Sequence, residues 1–161
     1  MRRVEALPEE DDNRLCAAGN LALAYNKQGK HAEAEALLVE VLATQQRVLG
    51  DEHPSTLATA SNLASAYHKQ GKHAEAKTMF VEVLATKKRV LGDEHPSTLI
   101  TAGNLANAYI NQGKHAEAVA LYGEVLATQK RVLGDEHPST LRTAGRLANT
   151  VMQKGALDTG E

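Results

Sequence analysis

The nonapeptide LGDEHPSTL occurs at residues 49–57, 91–99 and 133–141, three times at a spacing of 42 residues. A period of this length is the mark of a repeat architecture, in which each unit is one supersecondary element stacked on its neighbours. Aligned on it, residues 57–98 and 99–140 are identical at 31 of 42 positions. Residues 15–56 form a third copy, 141–155 form half of a fourth, and LPEEDDNRL at 7–15 looks like a degraded form of the same linker. The chain therefore reads as a single domain over 1–161: an N-terminal tail or degenerate linker (1–14), repeats 15–56, 57–98 and 99–140, a half-repeat 141–155 and a tail 156–161.

On either side of the nonapeptide, each copy predicts a helix. The first starts near Pro54-Ser55, Pro96-Ser97 and Pro138-Ser139, where proline suits a first helical turn and Ser or Thr can cap free N–H groups. Leu57, Ala60, Leu63, Ala64 and Tyr67 then fall on one helical stripe. Gly29-Lys30, Gly71-Lys72 and Gly113-Lys114 break the chain. The second helix carries Ala74, Ala76, Phe80, Val83, Leu84 and Val90, and Gly92 stops it. One such pair cannot bury its apolar face alone, so neighbours must stack. No strand-like alternation is present, and the fold class is all-α with about three and a half repeats and seven helices.

Composition narrows the function. A formal charge of -2 gives no reason to expect a nucleic acid or an anionic membrane surface as partner. The one cysteine, Cys16, permits neither an intrachain disulfide nor a zinc–thiolate cluster. No apolar run approaches the roughly 20 residues of a membrane span, and Met1-Arg2-Arg3 leads into no signal-peptide core, so a cytoplasmic protein is expected. Six of the seven histidines recur at the repeat period: His53, His95 and His137 in the linkers, His31, His73 and His115 at the second-helix starts. Repeats stack about 10 Å apart, too far for such residues to share an ion, so helix-end chemistry is the better reading. The run Lys87-Lys88-Arg89 reads as a solvated helix end. No constellation supports catalysis, and neither a metal nor a cofactor is implied.

The motif Leu63, Ala64, Tyr67, Gly71, Ala76, Phe80 resembles the tetratricopeptide repeat family, and recurs as Leu105, Ala106, Tyr109, Gly113, Ala118, Tyr122 and as Leu21, Ala22, Tyr25, Gly29, Ala34, Leu38. Ala18, Ala60 and Ala102 stand where that family usually has an early Trp. The 42-residue form is similar to the repeats of kinesin light chains and of those appended to NB-ARC receptors. The resemblance implies a right-handed α-solenoid that binds proteins or peptides in a concave groove, as an adaptor or ligand-sensing part of a larger system.

Differences between copies point to a working face. In the first helices of the second and third copies they are Ala58/Ile100, Ser61/Gly103, Ser65/Asn107, His68/Ile110 and Lys69/Asn111, which share one helical stripe. The first copy has Cys16, Gly19, Leu23, Asn26 and Lys27 there, and the half-repeat has Arg142, Gly145, Asn149, Met152 and Gln153. The resemblance places this stripe in the ligand groove; drift on an exposed face is the alternative. The six remaining differences, at 77–81 against 119–123 and at Lys87 against Gln129, share no stripe. Asn20, Asn62 and Asn104 stay fixed, with Arg146 in the half-repeat. An amide can donate to and accept from a peptide backbone, so such a ladder is expected to clamp an extended chain, unless each amide bonds a neighbouring helix or water.

Segments 15–28, 57–70, 99–112 and 141–154 contain no Asp or Glu but do contain Lys27, Lys69, Arg142, Arg146 and Lys154. That favours an acidic peptide or a C-terminal carboxylate. Gly19, Ser61, Gly103 and Gly145 replace the lysine of the carboxylate clamp in chaperone-binding relatives, so a chaperone tail is not expected. A groove of about 30 Å would hold roughly nine extended residues. The rival expectation is an architectural or oligomerisation module acting through its ends or convex face. A monomer is expected, with end-to-end dimerisation through the uncovered last helix as the alternative.

Overall fold

The computed structural model describes the backbone of residues 8–160 and the side chains from Asn13 onward. Among the described residues there are seven helices and no strand: α1 Pro8–Lys27, α2 His31–Val48, α3 Pro54–Lys69, α4 His73–Leu91, α5 Pro96–Asn111, α6 His115–Leu133 and α7 Pro138–Thr159. The chain divides into two compact units, Met1–Gly71 and Lys72–Glu161. In the first, α2 packs against both α1 and α3; in the second, α5 packs on α4 and α6, and α6 packs on α7.

The linker histidine, not the serine two residues on, opens the first helices. His53, His95 and His137 are N-caps in extended conformation, each with proline next at the first helical position. Their Nδ1 atoms accept hydrogen bonds from the backbone N–H groups of Ser55, Ser97 and Ser139 at 3.2, 3.1 and 3.2 Å. Sequence reasoning placed helix-end chemistry on these histidines but gave the cap to Ser or Thr. The decisive signal is the His-Pro pair, since the residue before a first-turn proline is itself the N-cap. After α5, Gly113 takes φ +73°, a left-handed conformation that favours glycine, and lets Lys114 N–H bond back to Tyr109 O at 2.8 Å.

The stripes pack largely as the periodicity requires. Leu57, Ala60, Leu63 and Ala64 are buried and Tyr67 is half-buried. In α4, Ala76, Phe80, Val83 and Leu84 are buried, whereas Ala74 and Val90 are exposed. In the second unit, Ala106, Ala118 and Tyr122 form a core cluster joined by Tyr109, Ile110, Leu121 and Leu147.

At both ends the helices run past the bounds of the sequence repeat. Pro8 begins α1 four residues ahead of the position that corresponds, one period earlier, to Pro54. The segment 1–14 is thus helical from residue 8, while residues 1–7 lie outside the described ones. At the other end α7 runs through Gly155 to Thr159, so 156–159 continue the helix, and the left-handed cap is Gly160. The described residues after Gly155 continue α7, and Lys154 meets Asp158 one turn on at 2.8 Å.

Lys87 is a further correction. It is only 4% exposed, and its ammonium donates to Thr101 Oγ1 at 2.9 Å, while Lys88 and Arg89 are exposed. Position 87 faces the repeat interior, as do its counterparts Gln45 and Gln129, both buried. Burial pushes the Lys87 pKa down.

Candidate functional site

The first helices present the expected residues unequally. On α1, Asn20, Leu23, Lys27 and Cys16 are exposed, but Asn26 is buried and its Oδ1 bonds His31 Nδ1 at 3.0 Å, closing the α1–α2 corner. Asn26 is therefore a structural contact rather than part of an open face. On α3, Asn62, Ser61, Ser65 and His68 are half-buried and Lys69 is exposed. Ser65 Oγ donates to Ser61 O at 3.0 Å, which satisfies the hydroxyl within the helix. On α5, Ile100 is 65% exposed, Asn111 is exposed, and Gly103, Asn104, Asn107 and Ile110 are half-buried. On α7, Arg142, Arg146, Asn149 and Met152 are all exposed. The side-chain amides of Asn20, Asn62 and Asn104 form no hydrogen bond among the described residues.

In the second unit the structure gathers several of these residues around one depression. A cleft of about 190 Å³ lies between α5 and α7, with α6 as its floor. Ile100 and Asn104 line it from α5, Arg142 and Arg146 from α7, and Tyr122 and Gln129 from α6. No Asp or Glu lines it, and neither arginine forms an ion pair among the described residues. The Tyr122 hydroxyl donates to Asn107 Oδ1, in a short hydrogen bond that joins α6 to α5. Burial pushes the Tyr122 pKa up, and the neighbouring Arg146 guanidinium, by charge and hydrogen bonding, pulls it partly back.

Two floor residues escaped sequence reasoning. Tyr122 against Phe80 and Gln129 against Lys87 are among the differences that share no stripe with the first-helix set. The second-helix floor varies alongside the first-helix walls, and the only sequence signal was the change from Phe to Tyr, which places a hydroxyl in a buried position.

A larger cleft of about 360 Å³ lies elsewhere in this unit, lined in part by Lys88, Asp93, Glu124 and Arg131. Both of its cations are partnered: Lys88 Nζ stands 3.8 Å from Asp93, and Arg131 pairs with Glu94. Of these two clefts, the smaller offers cations without a carboxylate partner among the described residues. Among the described residues, no three His, Cys, Asp or Glu side chains come together as a metal site, and no helix is long and apolar enough to cross a membrane.

The 42-residue helix pairs match the tetratricopeptide repeat model in three overlapping spans, residues 13–89, 57–130 and 97–158. The chain belongs to the tetratricopeptide repeat family. Two crystal structures of a Podospora anserina protein assigned to the kinesin light chains, with nearly identical repeats, are similar at TM-score 0.82. One, a point variant, is 39% identical and the other 38%, each over 91% of this chain and 69% of that one. BtubC (BKLC) from P. vanneervenii shares the fold at TM-score 0.78 and 22% identity, over 93% of this chain and 61% of its own. A search of the curated proteins found no match. This tetratricopeptide repeat protein thus resembles kinesin light chains, is an all-α solenoid of about three and a half repeats, and is of a non-enzymatic, protein–protein interaction scaffold type.

Proposed function

We propose that the protein captures a short, extended, acidic segment of a partner protein on the exposed faces of its first helices. The observation that carries this reading is the α5–α7 cleft, where Asn104, Arg142 and Arg146 converge with no carboxylate among them. Two guanidinium groups attract acidic side chains and bind them through charge-assisted hydrogen bonds. Asn104 supplies an amide that can both donate to and accept from a peptide backbone, and Asn20 and Asn62 offer the same group in the other unit. Micromolar affinity, about -8 kcal/mol, suits so short and polar a contact. Peptide display against the wild type, with Asn62→Ala/Asn104→Ala in parallel, tests it. Acidic sequences should be enriched and then lost in the variant; enrichment indifferent to both substitutions rejects the asparagine clamp.

A second, architectural reading rests on α7. Leu141 (59%), Val151 (49%) and Met152 (72%) are exposed there, an apolar surface that a second copy could cover. Light scattering over a concentration series decides: a constant monomer mass removes this reading.

A further inference from the structure

The two cleft arginines are held close together with no carboxylate in the cleft to offset them. Arg142 and Arg146 are one turn apart on the same face of α7, so their charges repel. The first turn of α7 contains no acid that could offset them. No Asp or Glu of the cleft compensates them. The corresponding residues of the other first helices are neutral: Cys16 and Asn20, Ala58 and Asn62, Ile100 and Asn104. The cationic pair is thus confined to α7, is unfavourable within the chain, and faces a depression large enough for a small anionic group. An anion relieves the mutual repulsion.

The charge count selects the anion. The cleft lining carries two positive charges and no negative one, so a single carboxylate neutralises half of it. A phosphomonoester carries close to two negative charges at neutral pH and three terminal oxygens, enough to engage both guanidinium forks at once. Asn104 and Ser139, also in the lining, add an amide and a hydroxyl donor for the remaining oxygen lone pairs. Tyr122, whose hydroxyl bonds Asn107, lines the cleft together with Arg146. We infer that the α5–α7 cleft is a phosphate subsite, taking a phosphorylated serine or threonine of the captured segment, so that partner phosphorylation strengthens capture. This rests on the peptide-binding reading above and adds a regulatory input to it.

The test uses the intact chain with arginine side chains labelled for NMR and three probes: N-acetyl-O-phosphoserine N-methylamide, N-acetylglutamate N-methylamide and inorganic phosphate. The phosphoserine probe should shift the Arg142 and Arg146 side-chain signals saturably, with affinity tenfold or more above the glutamate probe. Its binding should weaken from pH 7.5 to pH 5, as the phosphomonoester takes up its second proton near pH 6, while the glutamate probe changes little. Arg142→Gln and Arg146→Gln, both at exposed positions, should each lower phosphoserine affinity at least threefold with unchanged helical circular dichroism, and lysine replacements should restore part of it. Equal binding of the glutamate probe, or wild-type affinity in both glutamine variants, overturns the subsite. Inorganic phosphate binding as tightly as phosphoserine overturns its assignment to a peptide-borne group. Asn62→Ala lies outside the cleft and separates the two readings: it should weaken capture of display-selected peptides yet leave the phosphoserine shifts intact. Display-selected peptides that bind both arginine-to-glutamine variants at full strength would sink the subsite and spare the peptide-binding reading.

Discussion

Gly113 and Gly155 hold the same place in successive copies, 42 residues apart, yet the chain turns at one and runs straight through the other. At Gly113 the backbone takes φ +73° and α6 starts two residues later. At Gly155 the helix continues for another turn. The preceding helices share the stripe Leu, Ala, Ala: Leu99, Ala102 and Ala106 in α5, Leu141, Ala144 and Ala148 in α7. The first three are buried; in α7, Leu141 and Ala148 are exposed and Ala144 is half-buried. Glycine therefore permits the hairpin without commanding it. What commands it is the second helix, which returns Ala118 and Tyr122 to the core beside Ala106. Without that burial, continued helical hydrogen bonding outweighs the cost of about 1 kcal/mol for glycine inside a helix.

The largest change should come from erasing the contrast. Replacing 156–161 with a copy of 114–134 would pack a second helix against α7. Stability should rise by about 3 kcal/mol or more, the order expected for covering two or three aliphatic side chains. Residue 155 should adopt positive φ, read from its carbon chemical shifts; a helical shift there would show that a partner helix is not what makes the turn. Next come the glycines themselves. Gly113→Ala should cost about 1–2 kcal/mol, because an L-residue is strained at that φ, whereas Gly155→Ala should gain about 1 kcal/mol. Opposite signs in urea midpoints are required, and like signs would show that both positions turn. The caps probe what the two helices share. His95→Ala and His137→Ala should each cost about 1 kcal/mol, with asparagine at either position recovering most of it. Unequal losses at the two sites would mean that the cap depends on the presence of a second helix behind it.

The smallest change lies at the residue between the two helices. Tyr122→Phe, which installs the counterpart Phe80, removes a hydroxyl bonded to Asn107 and should cost about 1 kcal/mol or less at neutral pH. Because the folded-state pKa of Tyr122 is raised above the ordinary value of 10.0, its contribution is fully present below pH 10 and is lost as pH climbs through the folded value. Denaturation midpoints of wild type and variant should therefore converge above pH 10. A gap that stays constant to about pH 11.5 would contradict the buried, proton-holding hydroxyl.

The repeat was legible because it is written several times over: LGDEHPSTL and the Leu-Ala-Tyr-Gly register place the helices wherever the pattern is complete. It failed where it lacks its sequel. Gly155 aligns with glycines that turn, but residues 156–161 do not repeat the second-helix pattern, and α7 runs on through it. Lys87 looked solvated because two more cations come after it, yet helical phase puts it inward with Gln45 and Gln129. The walls of the candidate cleft, Ile100, Asn104, Arg142 and Arg146, could be found by comparing copies. Its floor could not, since Tyr122 and Gln129 belong to a different helix and join the set only through packing.

The histidine caps have one more consequence, for how such a gene changes length. Helices α3, α5 and α7 each carry their own start signal, with the acceptor, the proline and the capped N–H all inside the duplicated nonapeptide. Recombination between misaligned copies therefore inserts or deletes whole modules and always rebuilds the same His-Pro-Ser junction. Array size can drift over generations without any intermediate that must fold across a novel seam.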